Sequence, residues 1–134
     1  MSIIKISVIT ITYNAENVIM RTLDSVLKQT FSNIEHIIID GASKDSTLFA
    51  EKEYESRSCS TNNGHEIKII SEPDKGLYDA MNKGIGKATG NYLVFLNAGD
   101  VFPSSSTLET IANMVGEGEE LPGVLYGNTD IVDD

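Results

Sequence analysis

Apolar positions along the chain alternate between short β-branched runs and longer stretches of helical periodicity. Residues 5–12 are dominated by Ile, Val and Thr and end at Tyr13 and Asn14, the pattern of a buried strand running into a loop. From 15 to 29 the apolar residues Ile19, Leu23 and Val26 recur at helical spacing, with Asn14 placed to cap the helix and Glu16 in its first turn. Residues 34–39 read as a second strand, closed by the polar loop 40–45. A second helix is predicted over 47–55 with Ser43 or Asp45 as its cap, and the weakly periodic stretch 56–64 reads as a surface loop. A third strand over 66–71 leads through the turn at Pro73 and Gly76 into a helix over 77–87, then a strand over 91–96. After Pro103 a helix fits 105–115, capped by Ser104 or Ser105, and 123–126 reads as a last short strand.

Strands that alternate with helices imply a single α/β domain, Rossmann-like, with a mostly parallel sheet flanked by helices. Open sheets of this kind bind ligands outside the carboxyl ends of their strands. The polar residues collect there. Thr12, Tyr13 and Asn14 follow the first strand, the 40–45 loop the second, Glu72 and Asp74 the third, and Asn97 and Asp100 the fourth.

Composition narrows the chemistry. The 134 residues, 40% hydrophobic and 22% charged, suit one globular domain with its own core. A net charge of −10 argues against nucleic acid as a partner, since phosphate backbones are bound by clustered Lys and Arg. The excess is concentrated late: Glu109, Glu117, Glu119, Glu120, Asp130, Asp133 and Asp134 fall after residue 100 with no Lys or Arg among them, so the earlier part is nearly balanced. Small anions stay possible ligands of that part if backbone amides or a metal supply positive charge. No stretch approaches the ~20 apolar residues of a membrane span, and the single Cys59 forms no internal disulfide, which makes a reducing cytoplasm the expected compartment.

Several motifs exclude more than they suggest. The glycines at 84, 86 and 90 carry one residue too many for a dinucleotide fingerprint and end a helix where the fingerprint must begin one, so Gly90 is read as a left-handed helix cap. No P-loop is present. His36 and His65 lack metal-ligand spacing, which favours structural roles, and Cys59 reads as a surface thiol. Asp40 and Asp100 carry more: a carboxylate just past a buried strand can accept hydrogen bonds from a pyrimidine imide or a ribose, and one beside a diphosphate can hold a divalent cation. For either one, capping a local turn explains the carboxylate equally well.

The blocks 8–17, 22–30, 34–47, 74–85, 88–90 and 95–100, in this order and spacing, resemble family 2 glycosyltransferases of the GT-A fold over nearly the whole chain. The resemblance implies inverting transfer of a sugar from a nucleoside diphosphate sugar, a UDP-sugar foremost, to a glycan or lipid-linked acceptor, with a divalent metal (Mn or Mg) on the diphosphate. It places Thr12, Tyr13 and Asp40 at the base, Glu16 and Asp74 at the nucleoside, and Asn97 and Asp100 at the family's acidic metal-binding motif. Three positions depart from the family pattern. Ile11 stands for its usual Pro, Met81 replaces an Arg expected at the diphosphate and leaves Lys75 or Lys83 as substitutes, and Asp100 is the sole carboxylate of the metal motif, hence its sole predicted metal ligand. Such variants resemble the branch that builds bacterial exopolysaccharide and lipopolysaccharide, working in the cytoplasm or peripherally at the inner membrane face. Since the family's general base and acceptor site lie in a second half, the chain is expected to be the donor-binding half, truncated before the acceptor half, with no catalytic base to assign. Two alternatives follow: a nucleotide-binding fragment without activity, or a receiver-like signalling domain. The second needs an acidic pair after strand one and a Lys after strand five, and the chain has neither.

Overall fold

The computed structural model describes residues 4–116 and 124–127. Five strands, β1 (Ile6–Thr12), β2 (Ile34–Asp40), β3 (Glu66–Ser71), β4 (Tyr92–Leu96) and β5 (Val124–Gly127), form one sheet in the order β3-β2-β1-β4-β5. Every pairing is parallel, with Thr12 opposite Asp40 and Asp40 opposite Ser71. Four helices fill the crossovers: α1 (Ile19–Leu27), α2 (Thr47–Thr61), α3 (Leu77–Lys87) and α4 (Thr107–Gly116). The acidic positions expected from Glu117 onward lie outside the described residues.

The β-branched runs sit in the middle because both faces of the sheet are covered. All seven residues of β2 are buried. On one face Ile9, Ile37, Ile39 and Phe95 pack around Ala80 of α3. On the other, Ile38 meets Ile19 and Leu23 of α1 and Tyr54 of α2, while Ile6, Val8, Val94 and Leu96 pack with Val26 of α1 and Leu108 of α4. Alternation along each strand sends successive side chains to opposite layers. His36 is structural, as expected: its Nε2 and Nδ1 lie 2.7 Å from Thr10 Oγ1 and 2.7 Å from the Tyr54 hydroxyl. Burial, aided by His65, pushes this imidazole down to about 3, so it stays neutral.

Three expectations change. Asn14 does not cap α1; its φ of 48° is left-handed, its side chain accepts from the Lys44 amide, and α1 begins later, at Ile19. Helix α2 continues through the stretch read as a loop, ending at Thr61 with Asn62 as a left-handed C-cap, so the exposed Cys59 is helical. Gly90 is no left-handed cap either: α3 is closed by Ala88 in an extended conformation. What Gly90 provides is proximity to β1, since a Cβ there would stand 2.5 Å from Ser7 Oγ and 2.8 Å from the Ser7 amide nitrogen. Backbone cannot yield as a side-chain tip can. Gly90→Ala is therefore expected to destabilise the fold by about 2–3 kcal/mol, measured by urea unfolding; a midpoint equal to wild type would show that β4 can move away from β1.

Candidate functional site

The loops leaving β1, β2, β3 and β4 lie along one edge of the sheet and are tied to one another by backbone hydrogen bonds. The Gly41 amide donates to Thr12 O (3.0 Å), the Glu72 amide to Asp40 O (3.0 Å) and the Ala98 amide to Ile11 O (3.3 Å). A cleft of about 300 Å³ opens on this edge, bounded by Ile11 and Thr12 at the end of β1, by Tyr13 after it, by Asp74 and Gly76 in the turn before α3, and by Leu77 of α3. Gly41 shapes it. A Cβ at Gly41 would stand 2.9 Å from Asp74 Oδ2 and 3.3 Å from the Tyr13 ring, so glycine lets both side chains close over the β2 end.

The predicted site residues divide into groups. Thr12, Tyr13 and Asp74 line the cleft, with the Tyr13 ring 56% exposed. Thr12 is 3% exposed, and its hydroxyl has no hydrogen-bond partner among the described residues. Asp40 lies beneath, 0% exposed. Its carboxylate accepts from the Ser43 amide (2.8 Å), the Ser43 hydroxyl (2.6 Å) and the Ser71 hydroxyl (2.9 Å), and so clasps the 40–43 turn to β3. Glu16 braces the two loops, accepting from the Ser46 amide at 2.9 Å, as Asn14 does by donating its amide to Ser43 Oγ at 2.8 Å.

Lys75 is exposed; its amide donates to Asp79, while Asp74 accepts from the Gly76 amide. Lys83, the other cation offered for the diphosphate, is occupied with the Pro73 carbonyl at 2.9 Å and with Glu72 and Asp79. Asn97 and Asp100 stand on the loop after β4, held because the Gly99 amide donates to Thr22 of α1 at 2.7 Å.

Family comparison decides what this edge belongs to. The family model for glycosyl transferase family 2 matches residues 7–132. The chain belongs to that family. A PGL/p-HBAD biosynthesis glycosyltransferase of Mycobacterium bovis is 36% identical over 122 residues, which are 91% of this chain and 45% of the relative. The chain thus spans less than half the length of that relative. Among solved structures, S. aureus TarS in complex with UDP-GlcNAc superposes with a TM-score of 0.70 at 25% identity, over 88% of this chain and 37% of the other. The mannosyltransferase PcManGT from Pyrobaculum calidifontis, in complex with GDP-Man and Mn2+, gives 0.68 at 28% identity, over 84% and 31%.

As a family 2 chain it has the GT-A architecture of these neighbours, with its cleft at the carboxyl edge of the parallel strands. No helix among the described residues is long and apolar enough to cross a membrane. Nor do the described residues hold a cluster of three metal-ligating side chains. The Asp100 carboxylate takes no hydrogen bond or ion pair from the described residues.

Sequence reasoning missed Ser71, Gly41 and Glu51. Ser71 carried no signal beyond its place at a strand end, and Gly41 matters only because Asp74 folds over it. Glu51 is wholly buried on α2, and burial first, then the Asp40 and Asp45 charges, push its carboxyl up to about 8.

Proposed function

We propose that the cleft binds a nucleoside diphosphate sugar, a UDP-sugar foremost, and that the chain is the donor-binding part of an inverting glycosyltransferase of bacterial surface glycan synthesis. The observation that carries this is the meeting of Tyr13, Thr12 and Asp74 over Gly41 at the carboxyl edge of a parallel sheet. The neighbours solved with UDP-GlcNAc and GDP-Man support it. A cleft of about 300 Å³ lies at the small end of ligand sites.

In this reading the exposed Tyr13 ring stacks on the base. Asp74 accepts hydrogen bonds from the imide or ribose, the Thr12 hydroxyl supplies a polar contact, and Lys75 faces the diphosphate. Asp40 and Glu16 act through the loops they brace.

Mn or Mg is bound in many phosphate sites by one or two carboxylates with the substrate's own oxygens completing the shell, and the uncommitted Asp100 beside Asn97 fits that donor set. Bound there, the ion would neutralise charge on the departing diphosphate. An acceptor hydroxyl, glycan or lipid-linked, forms its bond to the anomeric carbon from the face opposite the diphosphate as the carbon–oxygen bond to the diphosphate breaks, and gives up its proton to a base, which inverts that carbon.

Calorimetric titration with UDP, GDP and TDP, each with and without manganese, tests the reading. UDP should bind, and Asp74→Asn should weaken it by about 1–3 kcal/mol, the usual effect of removing a charged hydrogen-bond partner. Asp100→Asn should abolish the gain from manganese. A folded chain that binds none of the three diphosphates would refute the proposal.

A further inference from the structure

Glu51 is a carboxylic acid with nowhere to place a charge. It is 0% exposed, and neither of its oxygens meets a hydrogen-bond donor among the described residues. The groups around it are acidic or neutral on every side. At the end of β2 stands Asp40 and in the following loop Asp45, and the negative charge of each opposes a charge on Glu51. The β3 side chains that face α2 are Ile67, Ile69 and Ser71. Packed α1 offers Ile19 and Leu23, and its Asp24 is taken by Arg57. No ion pair reaches Glu51 among the described residues. Two carboxylates cannot hydrogen-bond to each other, whereas a carboxylic acid and a carboxylate can.

We propose that Glu51 is a positioning residue of the nucleotide site: it keeps a proton, donates it in a hydrogen bond to the Asp40 carboxylate, and so fixes the Asp40–Ser43 clasp on which Gly41, Asp74 and Tyr13 converge. The proposal rests on the nucleotide-binding reading above. When Glu51 ionises, a second negative charge appears beneath the turn and the clasp loosens.

The pH dependence follows from the direction of the shift. An acid whose folded pKa is raised from 4.5 to about 8 adds stability that is full below about 4.5 and is lost as pH climbs toward 8. Above that, the folded protein itself carries the charge, and the competent fraction falls about tenfold for each further pH unit.

The test titrates UDP with magnesium at pH 6.5, 8 and 9 into wild type, Glu51→Gln and Glu51→Leu, and follows thermal unfolding of each without nucleotide from pH 5 to 8. Wild-type affinity should fall about tenfold between pH 6.5 and 9. Glu51→Gln, whose amide donates to Asp40 at every pH, should keep the wild-type pH 6.5 affinity throughout; Glu51→Leu, lacking a donor, should bind more weakly at all three pH values with no comparable fall. Because the ligand is the same in all arms, its own titration cancels. Flat wild-type affinity, or a parallel fall in Glu51→Gln, would overturn the proposal. Should UDP fail to bind even at pH 6.5, the nucleotide reading is what fails. The melting data then decide the proton separately: wild type must lose melting temperature relative to Glu51→Gln between pH 5 and 8, and a constant gap shows that Glu51 is not protonated.

Discussion

Glu35→Ala is expected to lower stability by about 3 kcal/mol at neutral pH, the low end for breaking a buried ion pair, because Lys68 is one-third exposed and can rehydrate. The carboxylate is buried at the amino end of β2 and accepts from the Ser7 hydroxyl (2.7 Å), from the Thr89 amide and hydroxyl (2.9 Å each) and from Lys68. One side chain thereby joins β1, β2, β3 and the approach to β4. Burial would raise its pKa, yet the hydrogen bonds from Lys68, Ser7 and Thr89 win and hold it at about 2. A lowered carboxylate pKa gives stability that is present above about 4.5 and is lost as pH falls toward 2, roughly 3 kcal/mol for a shift of this size. Urea unfolding at pH 7 and pH 3 checks both parts. The gap between variant and wild type should shrink at pH 3; an undiminished gap would mean that packing, not charge, explains the loss.

Asp40→Ala should act on binding and folding together. Its three internal hydrogen bonds hold the turn under Gly41, so alanine is expected to lower stability by about 2–4 kcal/mol and UDP affinity by about 1–3 kcal/mol. Denaturation and calorimetry on the same preparation separate the two effects. A variant as stable as wild type would show that Ser43 and Ser71 hold the turn without the carboxylate. Weakened binding at unchanged stability would instead place Asp40 in direct contact with the base.

The strands were legible because β1 and β2 are buried on both faces, and such strands show as unbroken β-branched runs. The second half of α2 was not. Its buried positions Thr47, Glu51, Tyr54 and Ser58 keep helical spacing, but three of the four are polar, so no apolar stripe marks the helix beyond residue 55. The strand-end placement of Thr12, Asp40, Asp74 and Asn97 was visible in the order of the elements. That Asp40 points inward was not, since its partner Ser71 lies far along the chain and is brought near only by the β2–β3 register. Asn14 misled for a related reason: a cap residue and a left-handed turn residue share the same side-chain chemistry.

The central position of β1 sets a timetable for synthesis. One edge of β1 pairs with β2, which follows it closely, but the other pairs with β4, Ile6 opposite Tyr92 and Val8 opposite Val94. At ~5–20 residues per second, the ribosome takes on the order of 5–20 s to deliver β4 after β1 has emerged. Throughout that interval the central strand offers a bare row of amides and carbonyls, flanked by Ile and Val, to any neighbouring nascent chain. A lower density of nascent chains and a chaperone that shields early strands should therefore raise the soluble yield more than any change to the finished surface.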